Sequence, residues 1–80
     1  MTESKIITAK GMCVIALTKY IMKKEQLDRE HAYYRLLESE LYKLLNDAGT
    51  GLFLEPDGYL FEAYDIECKE GKEGLYGYIN

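Results

Sequence analysis

The sequence predicts a mainly α fold in one small domain spanning residues 1–80. It should hold an antiparallel αα-hairpin, a third helix and a short C-terminal segment. Three observations carry this expectation. Apolar residues recur with a 3.6-residue period in two long stretches. The turn between those stretches is only three or four residues, which favours antiparallel neighbours. The second stretch runs about twenty residues without a breaker. Eighty residues suit a single core, and a chain this short buries only about 60–65% of the surface its unfolded form exposes.

The first helix is expected from about Lys5 to Lys24. Ile7, Val14, Leu17 and Ile21 share a stripe flanked by Ile6, Cys13, Ala16 and Tyr20, and Ser4 is placed to cap the N-terminus. Met12 to Leu17 is apolar nearly all round, which predicts the most buried helix of the fold. Gly11 costs about 1 kcal/mol relative to Ala in a helix and points to close approach by another element. Lys19, Lys23 and Lys24 complement the macrodipole at the C-terminal end.

Asp28 is a good N-cap for the second helix. Tyr33, Leu37, Leu41, Leu44 and Ala48 form its seam, widened by Tyr34, Leu36 and Leu45, and Gly49 stands where a left-handed residue would end it. After a connector through Gly58, two readings stay open. Leu52-Phe53-Leu54 and Tyr59-Leu60-Phe61 could flank a hairpin turn at Pro56-Asp57-Gly58, giving an α+β fold with a β-hairpin near residues 52–62. Alternatively Pro56 occupies N1 of a third helix reaching Glu70, with Gly71 beyond its end and a short strand before it. The spacing of Leu60, Ala63, Tyr64 and Glu67 favours the helix, because period-2 pairing would put Glu62 on the face of Leu60 and Tyr64. The apolar tail from Gly74 to Ile79 is expected to dock on the core.

Charge is distributed unevenly. Residues 1–45 carry net +2 and residues 46–80 net −6, for −4 overall. The acidic half repels phosphate backbones, so nucleic acid is not expected as a partner. No secretory h-region or membrane-length apolar run occurs, so a cytoplasmic protein without membrane attachment is expected. Two cysteines, Cys13 and Cys68, read as buried small hydrophobes rather than a disulfide framework, with Cys68 expected to be the more exposed of the two.

No catalytic residue, metal site or cofactor motif can be assigned. His31 stands alone beside Glu30, and no His/Cys ligand spacing or nucleophile–base pair accompanies it. Cys13 lies in the most apolar stretch, where burial blunts a thiol, and the acidic neighbours of Cys68 disfavour its thiolate. The acidic residues from Asp57 to Glu73 lack the spacing of a Ca²⁺ loop. The glycines at 71 and 74 lack the residues of a phosphate loop.

Tyr64-Asp65-Ile66, then Gly71, Leu75 and Ile79 resemble the C-terminal signature of a family of short bacterial proteins of unknown function. That signature reads Tyr-Asp-aliphatic-aliphatic-His-Thr, a few polar residues and an apolar piece ending in Ile. Tyr20 to Leu37, with Asp28 and Tyr34-Arg35-Leu36-Leu37, is similar to the family's helix, turn and second helix. Cys68-Lys69 replaces the His-Thr pair, so any role of that pair is not carried over. The resemblance implies a compact helical domain. Because such genes sometimes stand beside ADP-ribosyltransferase-like toxins, it also implies an antitoxin-like or accessory role.

Eight tyrosines and no tryptophan point to partly wet surfaces. The expected function is therefore a non-enzymatic protein-interaction module without cofactor, binding another protein or a second copy as a homodimer. Its expected surface is Tyr59, Tyr64, Tyr76 and Tyr78 in the acidic half, suited to a basic partner. Helix one is the alternative surface, if its apolar girdle exceeds what helix two can cover. A rival expectation is a small helix-turn-helix regulator touching DNA through Lys19, Lys23, Lys24, Arg29 and Arg35.

Overall fold

The computed structural model describes residues 3–79. Its elements are α1 (Glu3–Glu25), α2 (Arg29–Glu38), α3 (Glu40–Asn46), two 3₁₀ turns (Ala48–Thr50 and Leu52–Leu54) and α4 (Asp57–Ile79). Among the described residues there is no strand, so the β-hairpin alternative for residues 52–62 is overturned. Leu52–Leu54 is a 3₁₀ turn rather than a short strand. Pro56 immediately precedes α4, and its carbonyl accepts the amides of Tyr59 (3.0 Å) and Leu60 (3.3 Å).

The chain reverses after α1 through Gln26, whose φ of 54° is left-handed, while the Leu27 amide donates to the Met22 carbonyl. Asp28 caps α2 as expected, accepting the His31 amide at 2.8 Å. The cap expected of Ser4 rests on a side chain outside the described residues; α1 already runs at Glu3.

The second predicted helix is two helices. Ser39 adopts extended backbone (φ −77°, ψ 151°) and separates α2 from α3. Its hydroxyl donates to the Leu36 carbonyl at 2.6 Å and accepts the Tyr42 amide at 3.1 Å. Packing explains the break. Ala32 and Leu36 are buried four apart, as are Leu41 and Leu45, but Leu36 and Leu41 lie five apart. At 3.6 residues per turn those pairs would diverge in an unbroken helix. The break at Ser39 restores both pairs to one core, and leaves Tyr33, Tyr34 and Ala48 exposed rather than on a seam. α3 stops at Asn46, whose carbonyl accepts Lys10 Nζ at 2.8 Å. The left-handed position falls on Gly51 (φ 68°), not Gly49.

The core joins all these segments. Leu17 and Ile21 of α1, Leu36, Leu41, Leu45, Leu52, Leu60 and Leu75 are fully buried. α1 packs against α2, α4 and the second 3₁₀ turn, and α3 packs against α4. Near that turn the buried Cys13 thiol lies 3.6 Å from the Phe53 carbonyl.

Gly71 ends the first part of α4 as expected, at φ 77°, ψ −173°, a region open almost only to glycine. The tail beyond it is helical again and docks on the core as expected. Leu75 is its buried anchor. Gly74 completes the corner, since a Cβ there would lie 2.5 Å from Glu70 Cβ.

Candidate interaction surface

The four tyrosines expected to form one surface do not. Tyr64 is only 3% exposed and belongs to the core. Its ring meets Tyr20 edge-on, and its hydroxyl bonds the Glu25 carboxylate. Tyr59 and Tyr78 pack on one another with centroids 4.9 Å apart, and Tyr78 donates to Glu62 at 3.1 Å. Tyr76 bonds Glu40 at 2.6 Å, and that hydrogen bond raises its phenol pKa. These rings and hydroxyls serve the fold.

A polar network closes the end of α1 onto α4 and α2. Tyr20 stacks on Phe61 (4.3 Å, 3°) and donates to Asp65 at 2.6 Å. Lys24 pairs with the other Asp65 oxygen. Burial alone would raise the Asp65 carboxyl, but the hydrogen bonds from Lys24 and Tyr20 outweigh it and hold its pKa below the ordinary value. Arg35 reaches Glu25 at 2.8 Å. Burial, then the bond to Glu25, pushes the Tyr64 phenol upward. Cys68 is exposed at the mouth of a shallow polar depression shared with Arg35, Ser39 and Glu67. Burial, reinforced by Asp57, raises the Cys13 thiol pKa, which keeps it unreactive. The His31 ring bonds its own helix cap, Asp28, at 2.6 Å. Among the described residues no group of three or more His, Cys, Asp or Glu is placed to hold a metal ion. No helix among the described residues is long and apolar enough to cross a membrane.

The large unsatisfied surface lies on α1. Ile7, Met12 and Ile15 are 64%, 67% and 57% exposed. The expectation of the most buried helix, drawn from a Met12 to Leu17 stretch apolar nearly all round, is therefore corrected: Cys13 and Leu17 are buried, but Met12 and Ile15 face outward. The reason is geometric: α2, α4 and the second 3₁₀ turn cover the side bearing Cys13, Leu17 and Ile21, and among the described residues no element covers the other. Gly11 shares that open side, and a Cβ there would meet nothing within 4 Å. Among the described residues the close neighbour expected at Gly11 is not found.

Two depressions flank the ridge. One, of about 360 Å³, lies between α1 and α2 and is lined by Val14, Ile15, Thr18, Lys19, Arg29, Glu30 and Tyr33. That volume falls at the small end of the roughly 300–1,000 Å³ typical of ligand pockets. The other, between α1 and α4, is lined by Met12, Ile15, Ala16, Lys19, Asp57 and Phe61. Ile15 and Lys19 border both. The sequence already marked Met12 to Leu17 as apolar nearly all round; what it lacked was which side of that stretch the other elements cover.

No family model matches the chain, and no curated protein or solved structure matches it.

Proposed function

We propose that this protein is a non-enzymatic interaction module that docks another protein on the outer face of α1. One observation carries the reading: Ile7, Met12 and Ile15 stand more than half exposed along one helix, with Ile15 bordering both grooves and Met12 one of them. An apolar patch of this kind on a soluble domain generally marks an interaction site. The polar groups elsewhere, around Asp65, Glu25 and Tyr64, are engaged with each other and support no chemistry on a substrate. The resemblance to the short bacterial family adds an accessory or antitoxin-like role. The rival DNA-binding reading loses support because Lys24 and Arg35, two of its five cations, are paired with Asp65 and Glu25.

The test is co-purification from cells that carry the gene natively, comparing the parent with Ile15→Glu and Tyr76→Ala. A specific protein partner retained by the parent and by Tyr76→Ala, and lost by Ile15→Glu, is expected. If Ile15→Glu retains every partner of the parent, the α1 face is not the docking surface.

A further inference from the structure

The apolar ridge lies in the basic half of the chain, which reverses the sign expected for the partner. Between Ser4 and Lys24 the sequence holds five lysines and no acidic residue. Lys10 and Lys24 are engaged within the fold, by the Asn46 carbonyl and by Asp65. Lys19 stands exposed between the two grooves, Lys23 is exposed a turn further on, and Arg29 lines the α1–α2 groove. A ligand seated on Ile15 in that groove meets Lys19 on one wall and Arg29 on the other, against the single carboxylate of Glu30.

We infer that the groove between α1 and α2 receives an amphipathic helix of a partner protein, with apolar anchors set against Val14, Ile15 and Tyr33 and acidic residues facing Lys19 and Arg29. This rests on the reading of α1 as a docking face and adds the chemistry of its occupant. A helix laid in a groove needs an apolar floor and flanking charge to fix its register, and both are present. A second copy fits less well, since α1 paired symmetrically with its own copy would set like-charged lysines together. An anionic bilayer also fits less well. A bilayer presents a broad plane, whereas the α1–α2 groove is concave and of a size for a single helix ridge.

The experiment uses fluorescence anisotropy with two labelled eighteen-residue helix-forming peptides (a probe length chosen at about five turns). Both have the same leucine face; one carries glutamates on its polar face and the other lysines. The full chain is expected to bind the acidic peptide at least about tenfold tighter, a difference worth roughly 1.4 kcal/mol. Ile15→Glu, at an exposed position, should keep the parent's circular dichroism and lose that binding. The double variant Lys19→Glu/Arg29→Glu should lose the preference for the acidic peptide. Equal binding of the two peptides, or none, overturns the inference. So does Ile15-dependent binding to phosphatidylserine vesicles or duplex DNA in place of the peptide. A parent that sediments as a dimer and an Ile15→Glu variant that sediments as a monomer would replace the acidic partner with a second copy, while leaving the docking face itself standing.

Discussion

Glu67 of α4 accepts the backbone amides of both Glu40 and Leu41, at 2.8 Å and 2.9 Å, one to each carboxylate oxygen. A side chain 27 positions from Glu40 along the chain thus satisfies two of the donors that open α3. It also places negative charge where the helix dipole favours it. Ser39 serves the same helix end through the Tyr42 amide, so three first-turn donors of α3 have side-chain partners.

Replacing Glu67 with Ala should therefore destabilise the protein by about 0.5–2 kcal/mol, the usual cost of losing a helix cap. Glu67→Gln keeps acceptor oxygen without the charge and should cost less. Urea denaturation of the three proteins checks the order.

Leu41 follows directly and is fully buried. Leu41→Ala should cost about 2–5 kcal/mol, the transfer of the lost atoms plus the cavity they leave. In a domain whose whole stability is about 4–12 kcal/mol, the variant should show a large drop in its denaturation midpoint. A midpoint equal to the parent's would contradict the burial.

Asp65 sets a pH dependence. Its folded pKa lies below the ordinary aspartate value because Lys24 and Tyr20 hydrogen-bond the charged form against the opposing effect of burial. A depressed acid stabilises above its unfolded pKa, about 3.9, and the contribution is lost as pH falls through the lower folded value. Thermal stability should thus decline below about pH 4. Asp65→Asn should flatten that decline without erasing it, because Asp28 is also depressed, first by the His31 amide.

The two glycines of the α4 corner should fail for different reasons. Gly71→Ala meets no neighbour within 4 Å, so its cost is backbone strain at φ 77°, about 1–3 kcal/mol. Gly74→Ala drives a methyl to 2.5 Å from Glu70 Cβ. Trimming that contact with Glu70→Gly should relieve Gly74→Ala and do nothing for Gly71→Ala. A double-mutant cycle of melting temperatures reads the difference.

Much of the helical order was legible because its signals are local: Asp28 before a periodic run, Pro56 before another, Gly71 where the period stops. The break at Ser39 was not, because a serine within a helix is ordinary and Glu67, which caps α3 beside it, sits on α4. A trace existed in the five-residue interval between Leu36 and Leu41, which no continuous helical face accommodates. The tyrosines misled for a different reason. Composition counts exposed and buried rings alike, and Tyr64 lies in the core with its hydroxyl met by Glu25 at the end of α1. The outer face of α1 was visible as excess apolar surface, but its exposure depended on how many elements the rest of the chain could supply.

α3 spans seven residues, well below the roughly twelve to fifteen at which an isolated helix holds in water. Its opening turn is completed by a residue synthesised 27 positions later. On a growing chain, then, α1 has the length to hold as a helix and α2 has its own cap in Asp28, whereas α3 has to borrow its opening turn from α4. The middle of the sequence is therefore expected to order late, and a chain cut before Asp57 should leave residues 40–46 without a stable helix.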